Sequence, residues 1–147
     1  MAKASLIFKQ INHGSKAWQE AVSLREKVLR IPLGSRFSTK ELAEESEHLQ
    51  IVAEQNSTIC ACAVLVPEGS QMKMQRVAVD ENLRNKNIGS QLMQFCEGIA
   101  RDKAYEMIYC HARDSAVRFY RKNNYREEGD YFDEDGIPHV KMIKSLN

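Results

Sequence analysis

Between Gln71 and His111 the chain runs through a strand, a polar loop, an amphipathic helix and a second strand, an order that makes this segment a crossover unit of a sheet. The first strand, QMKMQRVAV, does not keep one parity: Met72 and Met74 alternate, and the alternation slips before Val77 and Val79. Such a slip predicts a bulge, which leaves backbone groups unpaired and available to a ligand. The run Gln91–Cys96 is spaced like an amphipathic helix, predicted from about Ile88 to Asp102.

The loop between them, LRNKNIGSQL at 83–92, sets Arg84 and Lys86 at the mouth of that helix. The first four N–H groups of a helix have no partner inside it, and with the helix dipole they form a site suited to phosphate. Gly89 lets a ligand approach the backbone closely. Asn85 and Asn87 tolerate the left-handed conformations that a loop wrapping a pyrophosphate uses. On these residues alone, an anion cradle and an ordinary solvated loop fit equally well.

The flanks supply further elements. SLIFKQI is a short strand, and SKAWQEAVSLREKVLR is a helix with Ser15 as its cap, stopped by Pro32 and Gly34. STKELAEESE has a Ser/Thr start and acidic first turns, so it reads as a second short helix, and the charged run KELAEESEH reads as a solvated face. Strands HLQIVAE and TICACAVLVP follow, the latter a nearly continuous apolar run suited to burial on both faces. Beyond the crossover come helix SAVRFYRKNN, strand YREEGDYF, a turn at Asp135-Gly136 and strand IPHVKMIKSL. The predicted order is β-α-α-β-β-β-α-β-α-β-β. This describes one mixed α/β (α+β) domain over residues 1–147, with helices on both faces of a mostly antiparallel sheet.

Composition narrows the function classes. Apolar residues make up 43% and charged residues 28% of 147, the balance of a soluble globular domain. A net charge of +1 gives no field to steer the molecule onto nucleic acid or an anionic membrane, so any anion preference is local. With no apolar leader and no stretch near the roughly 20 residues of a membrane span, a cytoplasmic location is expected. Cys60, Cys62, Cys96 and Cys110 include no Cys-x-x-Cys and read as small buried hydrophobes, not as a disulfide or a metal site. Met72, Met74 and Met93 read as core.

RVAVDENLRNKNIGSQLMQFCE resembles the acetyl-CoA-binding stretch of the GNAT (Gcn5-related N-acetyltransferase) family, whose loop reads Arg/Gln-x-x-Gly-x-Gly/Ala. The match is Arg84-Asn85-Lys86-Asn87-Ile88-Gly89. SAVRFYRKNNY resembles the family's Ala-x-x-Phe-Tyr-x-x-x-Gly-Phe/Tyr segment, and LREKVLRIPLG and GIPHVKM resemble the ends of a bacterial subgroup. Asn87 and Asn124 stand where the family usually has Gly; Asn is the non-glycine residue best suited to positive φ.

The resemblance implies an N-acetyltransferase that moves the acetyl group of acetyl-CoA directly to a primary amine in a ternary complex. It implies that backbone amides of Val77, Ala78 and Val79 pair with the pantetheine arm and polarise the thioester. Amides from Arg84 through Asn85, Lys86, Asn87, Ile88 and Gly89 to Ser90 would hold the pyrophosphate, with Arg113 at the cofactor or substrate. Tyr120 would be the general acid that protonates the leaving thiolate; on its helix pattern alone it reads as a core aromatic. No metal is implied. The acceptor is a small-molecule or protein-terminal amine, and a homodimer is common in the family.

An attacking amine must lose a proton, and the family's frequent Glu on the fourth strand is missing from QMKMQRVAV. His139 or His111 is the candidate base, because imidazole titrates near working pH; Glu134 and Asp133 are weaker candidates. For either histidine alone a hydrogen-bonded structural role is more common. His13 and His48 look structural or exposed. Arg118, Arg121 and Lys122 read as a solvated basic face before a 3′-phosphate contact. The competing class is a non-catalytic acetyl-CoA/CoA-binding sensor or regulatory module, motivated by the absent Glu and by Asn87. An anion-binding structural protein without CoA rests on the loop alone.

Overall fold

The computed structural model describes residues 6–147, the side chains of 84–86 excepted. Its elements are β1 (Ile7–Ile11), α1 (Lys16–Arg25), α2 (Thr39–Glu44), β2 (Leu49–Gln55), β3 (Thr58–Glu68), β4 (Gln71–Val79), α3 (Ile88–Asp102), β5 (Met107–Arg113), α4 (Val117–Lys122), β6 (Arg126–Glu134) and β7 (Ile137–Ser145). This is the predicted succession. The strands form one seven-stranded sheet in the order β1-β2-β3-β4-β5-β7-β6. Pairing is antiparallel in β1–β2, β2–β3, β5–β7 and β6–β7, and parallel in β4–β5, the expected crossover. Two compact units divide the chain: one takes in the residues up to Leu65 and Arg76–Phe95, the other Val66–Gln75 and Cys96–Asn147.

In the first unit, Ser15 caps α1 by accepting from the Trp18 amide at 3.1 Å. The α-geometry ends at Arg25, five residues short of the sequence expectation. A π-helical segment, Glu26–Arg30, and a 3-10 turn, Ile31–Leu33, follow. Pro32 has no N–H to extend the ladder, and Gly34 at φ 74° ends the turn in the left-handed region. Ser38 and Glu41 form the capping box of α2. Asn56 and Ser57, at φ 52° and 61°, make the tight hairpin turn between β2 and β3.

Every residue of β3 from Ile59 to Leu65 is buried, as its apolar run predicts. Ala21, Leu24, Val52, Ile59, Cys62 and Ala78 pack as one cluster, with Ile11, Val28 and Leu29 against it. α3 buries Ile88, Leu92, Met93, Cys96 and Ala100, an i, i+4, i+8 stripe that crosses from one unit's residues into the other's.

The second unit is built on β5, β7 and β6. Asp135 and Gly136, at φ 55° and 75°, form the turn read from the sequence. Ile108, Cys110, Ala112, Val140 and Met142 are buried, and each fully buried large side chain contributes about 1.5–3 kcal/mol. Glu97 is 3% exposed and accepts from Tyr125 Oη at 2.8 Å and Lys144 Nζ at 2.9 Å, so its buried charge is paired. All four cysteines are free and buried, and Met72, Met74 and Met93 are fully buried.

Candidate functional site

β4 departs from strand geometry at Arg76, whose φ is 54°, between Met74 and Val77 where the alternation slips. A left-handed residue with a Cβ costs about 1–2 kcal/mol, so something must hold it. Its guanidinium does so: Nε lies 3.5 Å from Glu45 Oε2, Nη2 lies 3.6 Å from Glu41 Oε2, and the group sits 5.0 Å from the Phe37 ring centroid. Arg25 and Arg30 stack on the same ring at 4.8 and 4.1 Å. Arg25 also donates to Glu45 at 2.7 Å, and Arg30 meets Glu41 with two bonds, 3.2 and 2.8 Å.

This network corrects the reading of KELAEESEH as a solvated face at Glu45, which is 1% exposed, while Lys40, Glu44 and Glu47 are exposed as that reading expects. The Arg30 hydrogen bonds, aided by the Ser38 amide, push the Glu41 carboxyl down to about 2. Sequence reasoning missed these residues. The signal was Arg25 itself, on the same face of α1 as Ala21 and Val22, where an unpaired charge is not tolerated.

Beyond Arg76, Val77 and Val79 are half-buried, while Ala78 is 2% exposed and its backbone bonds the Cys62 thiol. Asp80 accepts from the Asn82 amide at 3.0 Å and starts a 3-10 turn over Glu81–Lys86. Asn87 then adopts φ 61°, ψ 17°, and α3 begins at Ile88, with Gln91 N donating to Asn87 O at 3.2 Å. The left-handed residue expected of Asn87 is therefore present, and Asn124 at φ 71° repeats it after α4. Asn85 lies within the 3-10 turn. Gly89 and Ser90 are half-buried in the first turn of α3, and Ile88 is buried. The charge expected from Arg84 and Lys86 falls on side chains outside the described residues.

In the second unit, Tyr120 is 6% exposed, packed edge-on to Phe119 and Tyr125 at 5.2 and 5.5 Å. Burial first, then the neighbouring Cys110 thiol to which its hydroxyl is bonded, raises its pKa well above the ordinary value. The hydroxyl thus keeps its proton at neutral pH. Cys110 is pushed up to about 12, chiefly by burial.

The structure brings the two candidate histidines together. His111 ends 3.6 Å from Glu134 Oε1 through Nδ1, and His139 ends 3.4 Å from Glu134 Oε2 through Nε2. Burial, then Lys73, lowers the His111 pKa, against an upward pull from Glu134. Arg113, opposite His139 in the β5–β7 register, closes β5 and opens a 3-10 turn over Asp114–Ala116. Arg121 is held by Glu127 at 2.6 and 2.8 Å, and Arg118 and Lys122 are exposed. His13 Nε2 lies 2.8 Å from the Leu42 carbonyl, a structural role. Among the described residues no group of three His, Cys, Asp or Glu is arranged to hold a metal ion, and no helix is long and apolar enough to cross a membrane.

A seven-stranded sheet with one parallel crossover, a left-handed residue in β4 and a left-handed Asn before α3 define an acetyltransferase of the GNAT class. The profile of the acetyltransferase (GNAT) domain matches residues 25–146, and the chain belongs to that family. It is 32% identical over 106 residues to YjcF, an uncharacterized N-acetyltransferase of Bacillus subtilis (strain 168), covering 71% of this chain and 74% of that one. A solved structure from Lactobacillus plantarum, assigned as an N-acetyltransferase, is 25% identical with a TM-score of 0.83, covering 99% of this chain and 100% of its own. An aminoglycoside 6'-N-acetyltransferase complexed with coenzyme A shares the fold at 13% identity, with a TM-score of 0.81 over 96% of this chain and 97% of its own.

Proposed function

We propose that the protein transfers the acetyl group of acetyl-CoA to a primary amine by direct attack in a ternary complex. The observation that carries the cofactor reading is Asn87: at φ 61° it adopts the conformation for which the family uses glycine, so the departure from the motif leaves the loop geometry intact. Amides from Arg84 to Ser90 would then meet the pyrophosphate, and those of Val77 and Val79 the pantetheine arm. The neighbour of the same fold with coenzyme A bound supports this cofactor. Tyr120, kept protonated by burial, fits the role of donor to the departing thiolate.

The neutral amine attacks the thioester carbonyl, the C–S bond breaks, the sulfur takes a proton from Tyr120, and the amine nitrogen gives its proton to an imidazole. His111 suits that imidazole better than His139. Its side chain is 30% exposed and burial lowers its pKa, which favours the neutral form, whereas His139 is buried with Nδ1 tied to the Ile137 carbonyl at 2.7 Å. The acceptor is a small-molecule or protein-terminal amine met in the cytoplasm, by a protein that needs neither nucleic acid nor membrane and is compatible with a homodimer.

Calorimetric titration with acetyl-CoA beside CoA, followed by an amine panel, tests this reading. It expects saturation near one cofactor per chain and acetylamide formation above hydrolysis. The absence of a carboxylate in β4 favours the alternative, a sensor that holds acetyl-CoA without turnover. Binding with no transfer to any amine would establish it. No binding at millimolar cofactor would end both readings.

A further inference from the structure

His111, Glu134 and His139 sit on three neighbouring strands. In the β5–β7 register His111 lies opposite Lys141 and Arg113 opposite His139, while in β6–β7 Phe132 lies opposite His139 and Glu134 opposite Ile137. The Phe132 ring touches both imidazoles, edge-on to His111 at 5.0 Å and stacked on His139 at 6.1 Å. One carboxylate serves both rings, an oxygen to each.

The two imidazoles are held differently. A carbonyl only accepts, so His139 Nδ1 carries the hydrogen it shares with Ile137 O, and Nε2 is the nitrogen that faces Glu134. With a side chain 6% exposed and Nδ1 donating to Ile137 O, His139 is fixed in place, its Nε2 3.4 Å from Glu134 Oε2. His111 presents the opposite nitrogen. Its Nδ1 is sealed from solvent, makes no hydrogen bond and lies 3.6 Å from Glu134 Oε1, and the side chain as a whole is 30% exposed. A carboxylate beside Nδ1 favours the tautomer with hydrogen on that atom, leaving the Nε2 lone pair as the proton acceptor.

We propose that Glu134 is a positioning residue for the acetyl transfer: set beside the buried Nδ1 of His111, it favours the Nδ1–H tautomer of that ring and so readies Nε2 to take the amine proton. This rests on the transferase reading above. The last residue of β6 thereby replaces the missing β4 Glu indirectly, through an imidazole.

The charges around His111 set the sign of the test. Lys73 of β4 opposes the imidazolium, and Glu134 of β6 favours it. Tyr109 of β5 is bonded to Glu68 and stays protonated, with burial as the main cause. Lys141 of β7 is paired with Glu128 at 3.0 Å and lies over the Tyr109 ring at 4.5 Å. His139 adds a small opposition.

Glu134→Gln keeps shape and removes charge. In the free protein, 15N-resolved imidazole spectra should show His111 hydrogen on Nδ1, losing that preference in the variant, with its titration midpoint moving to lower pH. In turnover, the variant should lose about 10–100-fold in kcat at unchanged KM for acetyl-CoA, with the acid limb of the pH profile displaced in the same direction. An unchanged His111 tautomer and midpoint in Glu134→Gln would overturn the proposal whatever the activity. A wild-type protein that acetylates no amine, yet shows the tautomer response, would sink the transferase reading and leave Glu134's hold on His111 standing.

Discussion

The Arg25 guanidinium lies 2.7 Å from the Glu45 carboxylate, with both side chains 2% exposed. Removing one partner of such a pair strands a buried charge, whereas removing both does not. Arg25→Met should therefore cost about 3–5 kcal/mol in urea unfolding, and Arg25→Met/Glu45→Met distinctly less than the sum of the single changes. Additive losses would mean that the two groups do not depend on each other.

Glu41 makes a prediction with a sign. Its carboxyl is held at about 2 by Arg30, below its usual 4.5, so it binds its proton more weakly folded than unfolded. The stabilisation is present above the unfolded value and is lost as pH falls from about 4.5 toward 2. Wild type should melt about 3 °C above Glu41→Gln at pH 6, the shift that ~1 kcal/mol gives at this size, and the gap should close near pH 2. A gap that is constant over pH would point to packing instead of charge.

Asn87 and Asn124 share the left-handed conformation but different neighbourhoods. Either residue changed to Ala should destabilise by about 1 kcal/mol, and either changed to Gly should be neutral within a few tenths. Calorimetry should find acetyl-CoA affinity preserved in Asn87→Gly and reduced in Asn87→Ala. Equal affinity in both would detach the loop conformation from cofactor binding.

Tyr120→Phe deletes a hydroxyl that is bonded to the buried Cys110 thiol. Loss of a hydrogen bond to a thiol should cost no more than about 1 kcal/mol of stability. A donor to the departing thiolate predicts a loss of about 10²–10⁴-fold in kcat. Stopped-time acetylation assays beside thermal melts separate the two. An unchanged kcat would return Tyr120 to the role of a core aromatic.

Much of the fold was legible because it is local. Caps at Ser15 and Ser38, stops at Pro32 and Gly34, the Asp135-Gly136 turn and the stripe of α3 all depend on residues within a few positions of one another. The left-handed Asn87 and Asn124 follow from what an Asn side chain tolerates, and the break at Arg76 from a slip in alternation. What the chain alone determined was therefore the order of elements, the apolar β3 and the left-handed Asn87 before α3.

The tertiary structure decided the partners. Nothing near Glu45 in the chain shows that Arg25, twenty positions earlier, neutralises it, so an acidic run read as a wet helix face. His111 and His139 were both candidates by type, but only strand register brings Glu134 and Phe132 beside both and gives the two rings different surroundings. Charge pairing and tautomer choice depend on distances of a few ångströms between atoms remote in sequence. Those distances exist only once the sheet has formed.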